Sequence, residues 1–415
     1  MKKEINLKRI YSFINDKYIA DKIVEFLEKG IDIEKIKKVN INISLMVKNQ
    51  EGLIEGAIKS IESVCDNIWI FDTGSTDETL SIIKSLKNSL VKLNQIQWID
   101  NFAAMRNRTI EEIPKNEWIF IIDSDEIFLS EIKKDELKCI LYAIEKIFPN
   151  SDPILTIQQE SSGNYIVNRP QRIFKNNKEL IFYGYVHEEL RSQKSISINM
   201  NLRVFNEGTS INETKKFDKY LKYNKLLLKN IELEPDFLKW LALLDITYGL
   251  DNYPNYKEKV ELFCSKIIEE TGDIIIDDLF KMKIFCNYFV LLINEKNIDK
   301  AKYINKFCIE HFNDNSIFII YNYLIKLQEI NLGIENEFYN FRKDIRSLAQ
   351  KDKNNLVFQF NHQIITEITI KFLFKIEEYL NATSLLYNFS KKDVFVIKQE
   401  LNLIENLLNE ANFPQ

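Results

Sequence analysis

The chain has 415 residues, of which 45% are hydrophobic and 28% charged, as is typical of a folded protein with two or three domains. The formal net charge of -5 argues against nucleic acid as the main partner, because binding to a phosphate backbone needs a basic surface. No apolar run is long enough to cross a bilayer, and the first residues contain no apolar stretch of signal-peptide length. We therefore expect a cytoplasmic protein with no membrane span. The five cysteines are scattered without a Cys-x-x-Cys pair, which indicates reduced thiols and no zinc site.

Residues 1–38 form a predicted helical extension. Apolar residues recur there at steps of mostly three and four between charged residues: Ile10, Phe13, Ile14, Ile19, Ile23, Phe26 and Leu27. This spacing predicts one or two amphipathic helices that end near Gly30. Such helices pack on the next domain or contact a partner, and packing is the prediction that we adopt.

Residues 39–212 show short apolar runs that alternate with helical segments. We predict strands at 39–47, 67–71, 96–99 and 118–122, with a helix after each of the first three. This alternation is typical of an α/β domain in which ligands bind at the carboxyl ends of the strands. The segment contains neither a GxGxxG nor a GxxxxGK[ST] sequence, so a dinucleotide site and a P-loop are both disfavoured.

The run Trp118–Ile122 ends in two acids, Asp123 and Asp125, with Ser124 between them. An unbroken apolar run predicts a strand buried on both faces, so the carboxylates should lie just past its end. Two acids at such a strand end can hold a divalent cation between themselves and a phosphate. The alternative is an acidic turn after a core strand.

Four other segments carry polar residues near the ends of predicted elements. Residues 48–51 follow the first strand. Residues 72–77 follow the second strand, and Ser75 with Glu78 gives a capping-box pattern that predicts a helix start there. A strand, a glycine-containing loop and a helix start together point backbone N–H groups at an anion. Arg106 opens a later helix, and the pair His187-Glu188 lies in a segment rich in strand-forming residues.

Five motifs in this order resemble those of inverting family 2 glycosyltransferases of the GT-A fold. They are Val47-Lys48-Asn49-Gln50-Glu51, Asp72-Thr73-Gly74-Ser75-Thr76-Asp77, Asn101-Phe102-Ala103-Ala104-Met105-Arg106-Asn107, Asp123-Ser124-Asp125 and Val186-His187-Glu188. The resemblance covers about residues 41–210. The Phe-x-x-x-Arg-Asn element, the His-Glu pair and an appended helical domain resemble most the sublancin-type bacteriocin peptide glycosyltransferases.

The resemblance implies a Rossmann-like GT-A domain that binds a nucleotide sugar, followed by a tetratricopeptide-like helical domain. It also implies inverting transfer of a hexose, with glucose favoured, from a UDP-sugar to a Cys or Ser/Thr side chain of a bacteriocin precursor peptide. Mg2+ or Mn2+ is the implied cofactor, since a divalent cation neutralises the charge that builds on departing UDP.

The resemblance also implies which residues bind the donor. Asn49 and Glu51 would line the uridine pocket, Asp72 would accept from uracil, and Asp77 would be the second acid of that motif. Arg106 would lie near the diphosphate. From the residues alone, Asp72 could instead cap the next helix, Asp77 could be a surface acid at a helix start, and Arg106 could form a surface salt bridge.

The remaining roles concern the metal and the chemistry. Asp125 would bind the cation, and Asp123 would bind ribose with a further contact to the cation through water. Glu188 is our first choice for the base that deprotonates the acceptor. His187 is a further metal ligand or an alternative base, although a His-Glu pair is often purely structural. Arg172 contacts phosphate or pairs with a nearby acid.

Residues 213–415 show helical spacing almost throughout. We predict helices near 260–268, 280–293, 301–312 and 317–327 and on to Leu408, with a tight turn at 294–297. The repeat is irregular, so the pattern indicates a degenerate solenoid. Its surface would suit an extended peptide or a second copy of the chain as a homodimer.

Two other functions remain open from the sequence. One is the same chemistry on a cell-wall or lipid-linked glycan, which the lack of a predicted membrane anchor disfavours. The other is a helical-repeat scaffold that carries an inactive sugar-nucleotide domain, against which the presence of Asp123, Asp125 and Glu188 argues.

Overall fold

The structure is a computed structural model that describes residues 6–30, 32–161, 164–207, 219–272, 274–351, 362–376 and 378–387. The chain divides into two compact units, Met1–Tyr248 and Gly249–Gln415, which we call the first and second unit. The predicted division into 1–38, 39–212 and 213–415 remains a prediction. Among the described residues, no helix combines the length and apolar character that crossing a bilayer requires.

The first unit begins with three short helices, α1 (Leu7–Ser12), α2 (Lys17–Glu28) and α3 (Ile33–Lys37). Each helix follows an Asn or Asp whose side chain accepts a backbone N–H of the first turn. Their apolar residues are buried in the same core as the sheet that follows. The amphipathic pattern before Gly30 therefore corresponds to α1 and α2, and both pack on the α/β part as predicted.

The first half of the α/β part alternates strands and helices. The strands are β1 (Ile41–Val47), β2 (Asn67–Asp72), β3 (Val91–Gln95) and β4 (Trp118–Ile121). The helices between them are α4 (Ile54–Ile61), α5 (Thr79–Ser85) and α6 (Phe102–Glu111). β1 pairs in parallel with β2 and β4, and β2 pairs in parallel with β3. The carboxyl ends of these strands therefore meet at one edge of the sheet.

Two local predictions were wrong. The third strand lies at 91–95 and not at 96–99, because residues 91–95 pair with β2 in register. Only Ile96 of the predicted run bonds to β2, through its N–H and the carbonyl of Asp72. Helix α5 begins at Thr79 and not near Ser75. The hydroxyl of Ser75 accepts the backbone N–H of Asn49, 3.0 Å away, so it bonds to the preceding loop instead of capping a helix.

The second half adds strands to the same sheet and a long helix. These elements are β5 (Glu126–Phe128), α7 (Lys134–Ile147), β6 (Asp152–Ser161), β7 (Asn164–Asn168) and β8 (Gln171–Lys175). β9 (Ile181–Tyr183) and β10 (Glu189–Arg191) form a separate antiparallel pair, and β11 (Ser195–Asn206) returns to the sheet. Within the described residues the sheet runs in the order β3-β2-β1-β4-β8-β6-β11-β5, with β7 paired to β6.

Helices follow the sheet in the first unit. α8 (Lys219–Leu233) and α9 (Leu238–Leu243) lie wholly within it, and α10 (Ile246–Asn252) crosses its end. The buried residues of α8 include Leu226, Leu227 and Asn230.

The second unit is mostly helical in the residues that the structure describes, with one parallel bridge between Ile276 and Phe312. Its helices are α11 (Tyr256–Thr271), α12 (Leu279–Asn294), α13 (Ile298–His311), α14 (Ser316–Lys351), α15 (His362–Lys375) and α16 (Tyr379–Tyr387). The four predicted helical runs lie in the first four of these helices, except that Phe312 follows the last residue of α13. The predicted turn at 294–297 separates α12 from α13. Continuation toward Leu408 lies outside the described residues, and a tetratricopeptide-like repeat stays a prediction.

Candidate active site

A cavity of about 660 Å3 opens in the first unit at the edge of the sheet where β1, β2 and β4 end. Five of the predicted site residues line it: Arg106, Asp123, Asp125, His187 and Glu188. The other five lie outside the lining, namely Asn49, Glu51, Asp72, Asp77 and Arg172. The parallel strands thus bring three distant segments, at 106, 123–125 and 187–188, to one opening.

Asp123 is held by two guanidinium groups. Its Oδ1 atom accepts from Arg106 Nη2 at 3.0 Å, and its Oδ2 atom accepts from Arg172 Nη2 at 2.7 Å. Burial alone would raise the pKa of Asp123, but the charges of Arg172 and Arg106 outweigh burial and hold that pKa well below its usual range. Asp123 is therefore an ionised carboxylate with both oxygens already bonded.

Arg172 and Glu126 support Asp123 from the protein interior. Arg172 donates to Glu126 Oε1 at 2.6 Å, and the backbone N–H of Asp123 donates to Glu126 Oε2 at 2.9 Å. Glu126 is fully buried, and burial raises its pKa to about 7 while the charge of Arg172 opposes the rise. The predicted ion pair of Arg172 with a nearby acid is thus present, and the structure gives Arg172 no place in the cavity lining.

Arg106 links Asp123 to Glu188. Its Nε atom donates to Glu188 Oε1 at 2.6 Å, and the two side chains are 11% and 13% exposed. Burial alone would lower the pKa of Arg106, but the negative charges of Asp123 and Glu188 raise it. The guanidinium group of Arg106 therefore fixes the distance between the carboxylates of Asp123 and Glu188, which line the same cavity.

Asp125 and His187 lie at the cavity surface with backbone contacts that set their positions. The carbonyl of Asp125 accepts the N–H of Glu207 at 2.8 Å, next to the end of β11. His187 has a positive φ of 53°, and its carbonyl accepts from Lys239 Nζ at 2.8 Å. Both residues line the cavity.

A divalent cation is compatible with this arrangement. Among the described residues, no group of three His, Cys, Asp or Glu side chains is close enough together to hold a metal ion by itself. Mg2+, however, commonly binds through one or two carboxylates together with substrate phosphates and water. Asp125 lines the cavity and could supply such a carboxylate; its Oδ1 atom also accepts from Asn206 Nδ2 at 3.5 Å. Both oxygens of Asp123 accept from arginines.

Two loops beside the cavity are joined by the predicted uridine residues. Asn49 Oδ1 accepts the N–H of Thr76 at 2.8 Å, and Glu51 Oε2 accepts the N–H of Glu78 at 3.0 Å. In the other direction, Asp77 Oδ2 accepts the N–H of Glu51 at 3.3 Å. The loop after β1 is therefore bonded to the loop after β2 through three side chains, and we call this arrangement the loop clasp.

Asp72 closes its own loop. Its carboxylate accepts the N–H groups of Gly74 and Ser75 at 3.2 and 3.1 Å, and Gly74 has a φ of 101° that favours glycine. Asp72 therefore closes the turn after β2 and does not cap α5, which begins seven residues later at Thr79. Its contact with uracil stays a prediction. The side chains of the two loops that line the cavity are instead Lys48, Gln50 and Thr73.

Aromatic rings form another side of the cavity. Consecutive rings meet edge to face: Trp98 with Phe102 at 4.7 Å, Phe102 with Tyr223 at 6.0 Å, and Tyr223 with His187 at 5.8 Å. We call these four residues the aromatic wall. Burial raises the pKa of Tyr223 to about 12, with smaller contributions from Asp123 and Glu188, so its hydroxyl stays protonated.

Sequence reasoning missed Glu126, Trp98 and Tyr223. Glu126 directly follows the motif Asp123-Ser124-Asp125, and a third acid at that position could have been predicted to belong to the same site. Trp98 lies in the run predicted as a strand, and no site role was predicted for it. Tyr223 lies on α8, beyond the segment with recognisable motifs, and nothing in the sequence connects it with the cavity.

Comparison with known proteins identifies the class. Residues 43–186 match the family described as glycosyl transferase family 2, and they form a family 2 glycosyltransferase domain. The predicted family is therefore confirmed for this segment. The predicted fold class is also confirmed, since a mixed-sheet GT-A domain is followed by a largely helical region.

Particular relatives can also be named. The chain is 27% identical over 253 residues to the SPbeta prophage-derived glycosyltransferase SunS of Bacillus subtilis, covering 57% of this chain and 58% of SunS. It thus spans less than two thirds of the length of that relative. It is 23% identical over 333 residues to the uncharacterized glycosyltransferase RT0209 of Rickettsia typhi, covering 76% and 97% of the two chains. S. aureus TarS 1-349, a solved structure, aligns with a TM-score of 0.36 and 12% identity over 64% of this chain and 90% of that chain.

Proposed function

We propose that this protein is an inverting glycosyltransferase that moves a hexose from a UDP-sugar to a Cys or Ser/Thr side chain of a peptide. The observation that carries the proposal is the chain Asp123–Arg106–Glu188, which holds two carboxylates at one cavity of a family 2 domain. One carboxylate belongs to the donor side in this proposal and the other to the acceptor side.

The donor side comprises Asp123, Asp125, Arg106 and the loops after β1 and β2, with Asp123 as the carboxylate that would bind the ribose. A divalent cation held by Asp125 and the diphosphate would stabilise the negative charge that builds on the leaving UDP. Arg106 supplies a second positive charge at the same cavity, although Asp123 and Glu188 already accept from it. The loop clasp would keep Lys48, Gln50 and Thr73 in place around the nucleoside.

Glu188 is the proposed base on the acceptor side. As the acceptor sulfur or oxygen forms a bond to the anomeric carbon, the bond from that carbon to UDP breaks and the acceptor proton passes to Glu188. The Arg106 contact keeps one oxygen of Glu188 fixed and leaves the other to face the acceptor. A Cys acceptor needs less help than a Ser hydroxyl, because a thiol is partly ionised near neutral pH. His187 remains the alternative base or a further metal ligand.

The peptide acceptor is proposed from the resemblance to bacteriocin peptide glycosyltransferases and from the shape of the site. The aromatic wall continues from His187 and so borders the proposed base, which suits apolar side chains beside the modified residue. The helical second unit would recruit peptide or a second copy of the chain. Size measurement of the purified protein at several concentrations tests the homodimer.

Mass spectrometry of a candidate precursor peptide, incubated with the protein, Mn2+ and a panel of UDP-sugars, tests the whole proposal. We expect the peptide to gain the mass of one or more hexoses with at least one donor, and fragmentation to locate the sugar on Cys, Ser or Thr. If sugar were transferred only to glycan acceptors, a peptide would be excluded as the acceptor. An absence of transfer to every acceptor would favour the scaffold.

A further inference from the structure

The residues between β9 and β10, Gly184–Glu188, carry both His187 and Glu188, and we call them the base loop. Its backbone is constrained at two points. Gly184 has a φ of 98°, and a Cβ atom there would lie 3.0 Å from the ring of Trp240. His187 also has a positive φ of 53°. A loop with this backbone needs contacts from outside to hold it in one conformation.

Asn230 on α8 supplies two such contacts. Its side-chain Oδ1 atom accepts the backbone N–H of Tyr185, and its Nδ2 atom donates to the carbonyl of Val186 at 2.9 Å. Asn230 is fully buried. Both ends of its amide thus bond to consecutive residues of the base loop, immediately before the His187-Glu188 pair.

A second side chain from the same helical region also bonds to the loop. Lys239 on α9 donates to the carbonyl of His187 at 2.8 Å and to Glu189 Oε1 at 2.7 Å. Asn230 and Lys239 therefore bond to the backbone of 185, 186 and 187 in succession. Both residues lie beyond residue 186, where the family 2 match ends.

We propose that Asn230 is a positioning residue, which sets the base loop so that Glu188 meets Arg106, and that Lys239 assists it. The positioning role rests on the proposed function, because the placement of the loop affects the rate of glycosyl transfer only if Glu188 is the base. It also assigns α8 and α9 to the catalytic unit. A displacement of about 1 Å in a reacting group can cost about a hundredfold in rate, so the two hydrogen bonds of Asn230 are sufficient for a large effect.

Asn224 provides a matched control on the same helix. It is also buried, and its amide also makes two bonds, donating to the carbonyl of Tyr220 at 3.0 Å and accepting the N–H of Asp245 at 3.0 Å. Neither bond involves the base loop. Asn224→Ala therefore removes a similar amide from α8 and reports the purely structural cost.

Hydrogen exchange tests whether Asn230 holds the loop, independently of any activity. In Asn230→Ala we expect the amide of Tyr185 to exchange about tenfold faster than in the wild type, because it loses its acceptor. In Asn224→Ala we expect no change at Tyr185. Equal protection of this amide in wild type and Asn230→Ala would overturn the proposal even if the protein proved not to be a transferase.

Kinetics test whether the placement matters. Once the wild type transfers sugar, Asn230→Ala should lose about a hundredfold in kcat with unchanged affinity for UDP, and Asn224→Ala should retain its kcat. Asn230→Asp keeps the acceptor for Tyr185 but turns an oxygen toward the carbonyl of Val186, so it should also lose kcat. Equal kcat in Asn230→Ala and wild type, or an equal loss in Asn224→Ala, would overturn the positioning role.

A wild type that transfers nothing would refute the proposed function alone, and the exchange result would still decide whether Asn230 holds the loop.

Discussion

Two groups of acidic residues lie near the carboxyl edge of the sheet, and they are held in different ways. Asp123, Glu126 and Glu188 bond to the guanidinium groups of Arg106 and Arg172. The acids of the loop clasp bond instead to backbone N–H groups of neighbouring loops. The acids bonded to arginines bring several charges together in a largely buried region. The acids of the loop clasp set the conformation of two surface loops. We therefore expect chemistry to depend on the first group and loop geometry on the second.

The largest effect should come from Glu188. Glu188→Gln keeps an oxygen to accept from Arg106 but cannot take a proton, so kcat for transfer should fall about a thousandfold. UDP affinity should be unchanged in a binding titration. Glu179→Gln, at an exposed position outside the cavity lining, serves as the control and should keep full activity. Unchanged turnover of Glu188→Gln would move the base to another residue, with His187 next.

Removal of Arg172 should destabilise the fold strongly. Arg172→Leu leaves Asp123 and the fully buried Glu126 without their shared cation, and we expect a loss of about 3–5 kcal/mol in the free energy of unfolding. Arg203→Leu breaks the exposed pair with Glu160 and should cost at most about 1 kcal/mol. Urea unfolding of both variants measures the difference. Similar costs would show that the buried group is no more important for stability than a surface pair.

Asp125 should control the response to donor and metal. UDP with Mn2+, at about 100 times its Kd, should stabilise the wild type by about 3 kcal/mol and Asp125→Ala hardly at all. Asp21→Ala, on the exposed face of α2, should respond like the wild type. The thermal midpoint with and without ligand measures the effect. An equal gain in wild type and Asp125→Ala would remove Asp125 from the metal site.

Acid sensitivity should reveal Asp123. The pKa of this carboxyl is lower in the folded protein than in the unfolded chain, so its stabilising contribution is present above the ordinary pKa and is lost as pH falls toward the folded value. Between pH of about 5 and about 3 the wild type should lose up to about 1 kcal/mol more than Asp123→Asn, since a third of the side chain is exposed and partly screened. Thermal melts across this range test it. Parallel curves for the two proteins would contradict the assignment of charge.

The smallest effect should come from the loop clasp. Asp77→Asn retains one oxygen for the N–H of Thr79 or Glu51 but loses the charge, and we expect a cost of about 0.5 kcal/mol. Its kcat should equal that of the wild type. A loss of kcat as large as that of Glu188→Gln would erase the distinction between the two acidic groups.

Much of the fold could be predicted because it depends on local patterns. The strand β4 is a continuous apolar run, and its burial on both faces follows from that composition. The strand β1 alternates Ile and Leu with Asn42 and Ser44, which also predicts a strand. The third strand was placed wrongly because two adjacent runs alternate in the same way, and strand pairing, which is a long-range interaction, selects between them. The same limit applies to the capping-box pattern at Ser75, whose hydroxyl bonds to Asn49 from another loop.

The candidate site was predictable where a motif carries it and not where the tertiary fold builds it. Asp123, Asp125, Arg106 and Glu188 lie in motifs, and the structure brings them to one cavity. That Asp123 bonds to two arginines could not be derived, because Arg172 is 49 residues away in sequence. Lys239 and the other contacts from α8 and α9 carry no motif. Their importance depends on how those helices pack on the base loop.

The rate at which the wild type releases UDP from a UDP-hexose, with and without precursor peptide, tests most directly whether Glu188 is the base of a glycosyltransferase. We expect slow release without peptide and fast release with peptide. In Glu188→Gln, addition of the peptide should hardly raise the rate. No release from any UDP-hexose, or release by Glu188→Gln at the wild-type rate, would contradict the claim that Arg106 and Glu188 form the centre of a glycosyltransferase site.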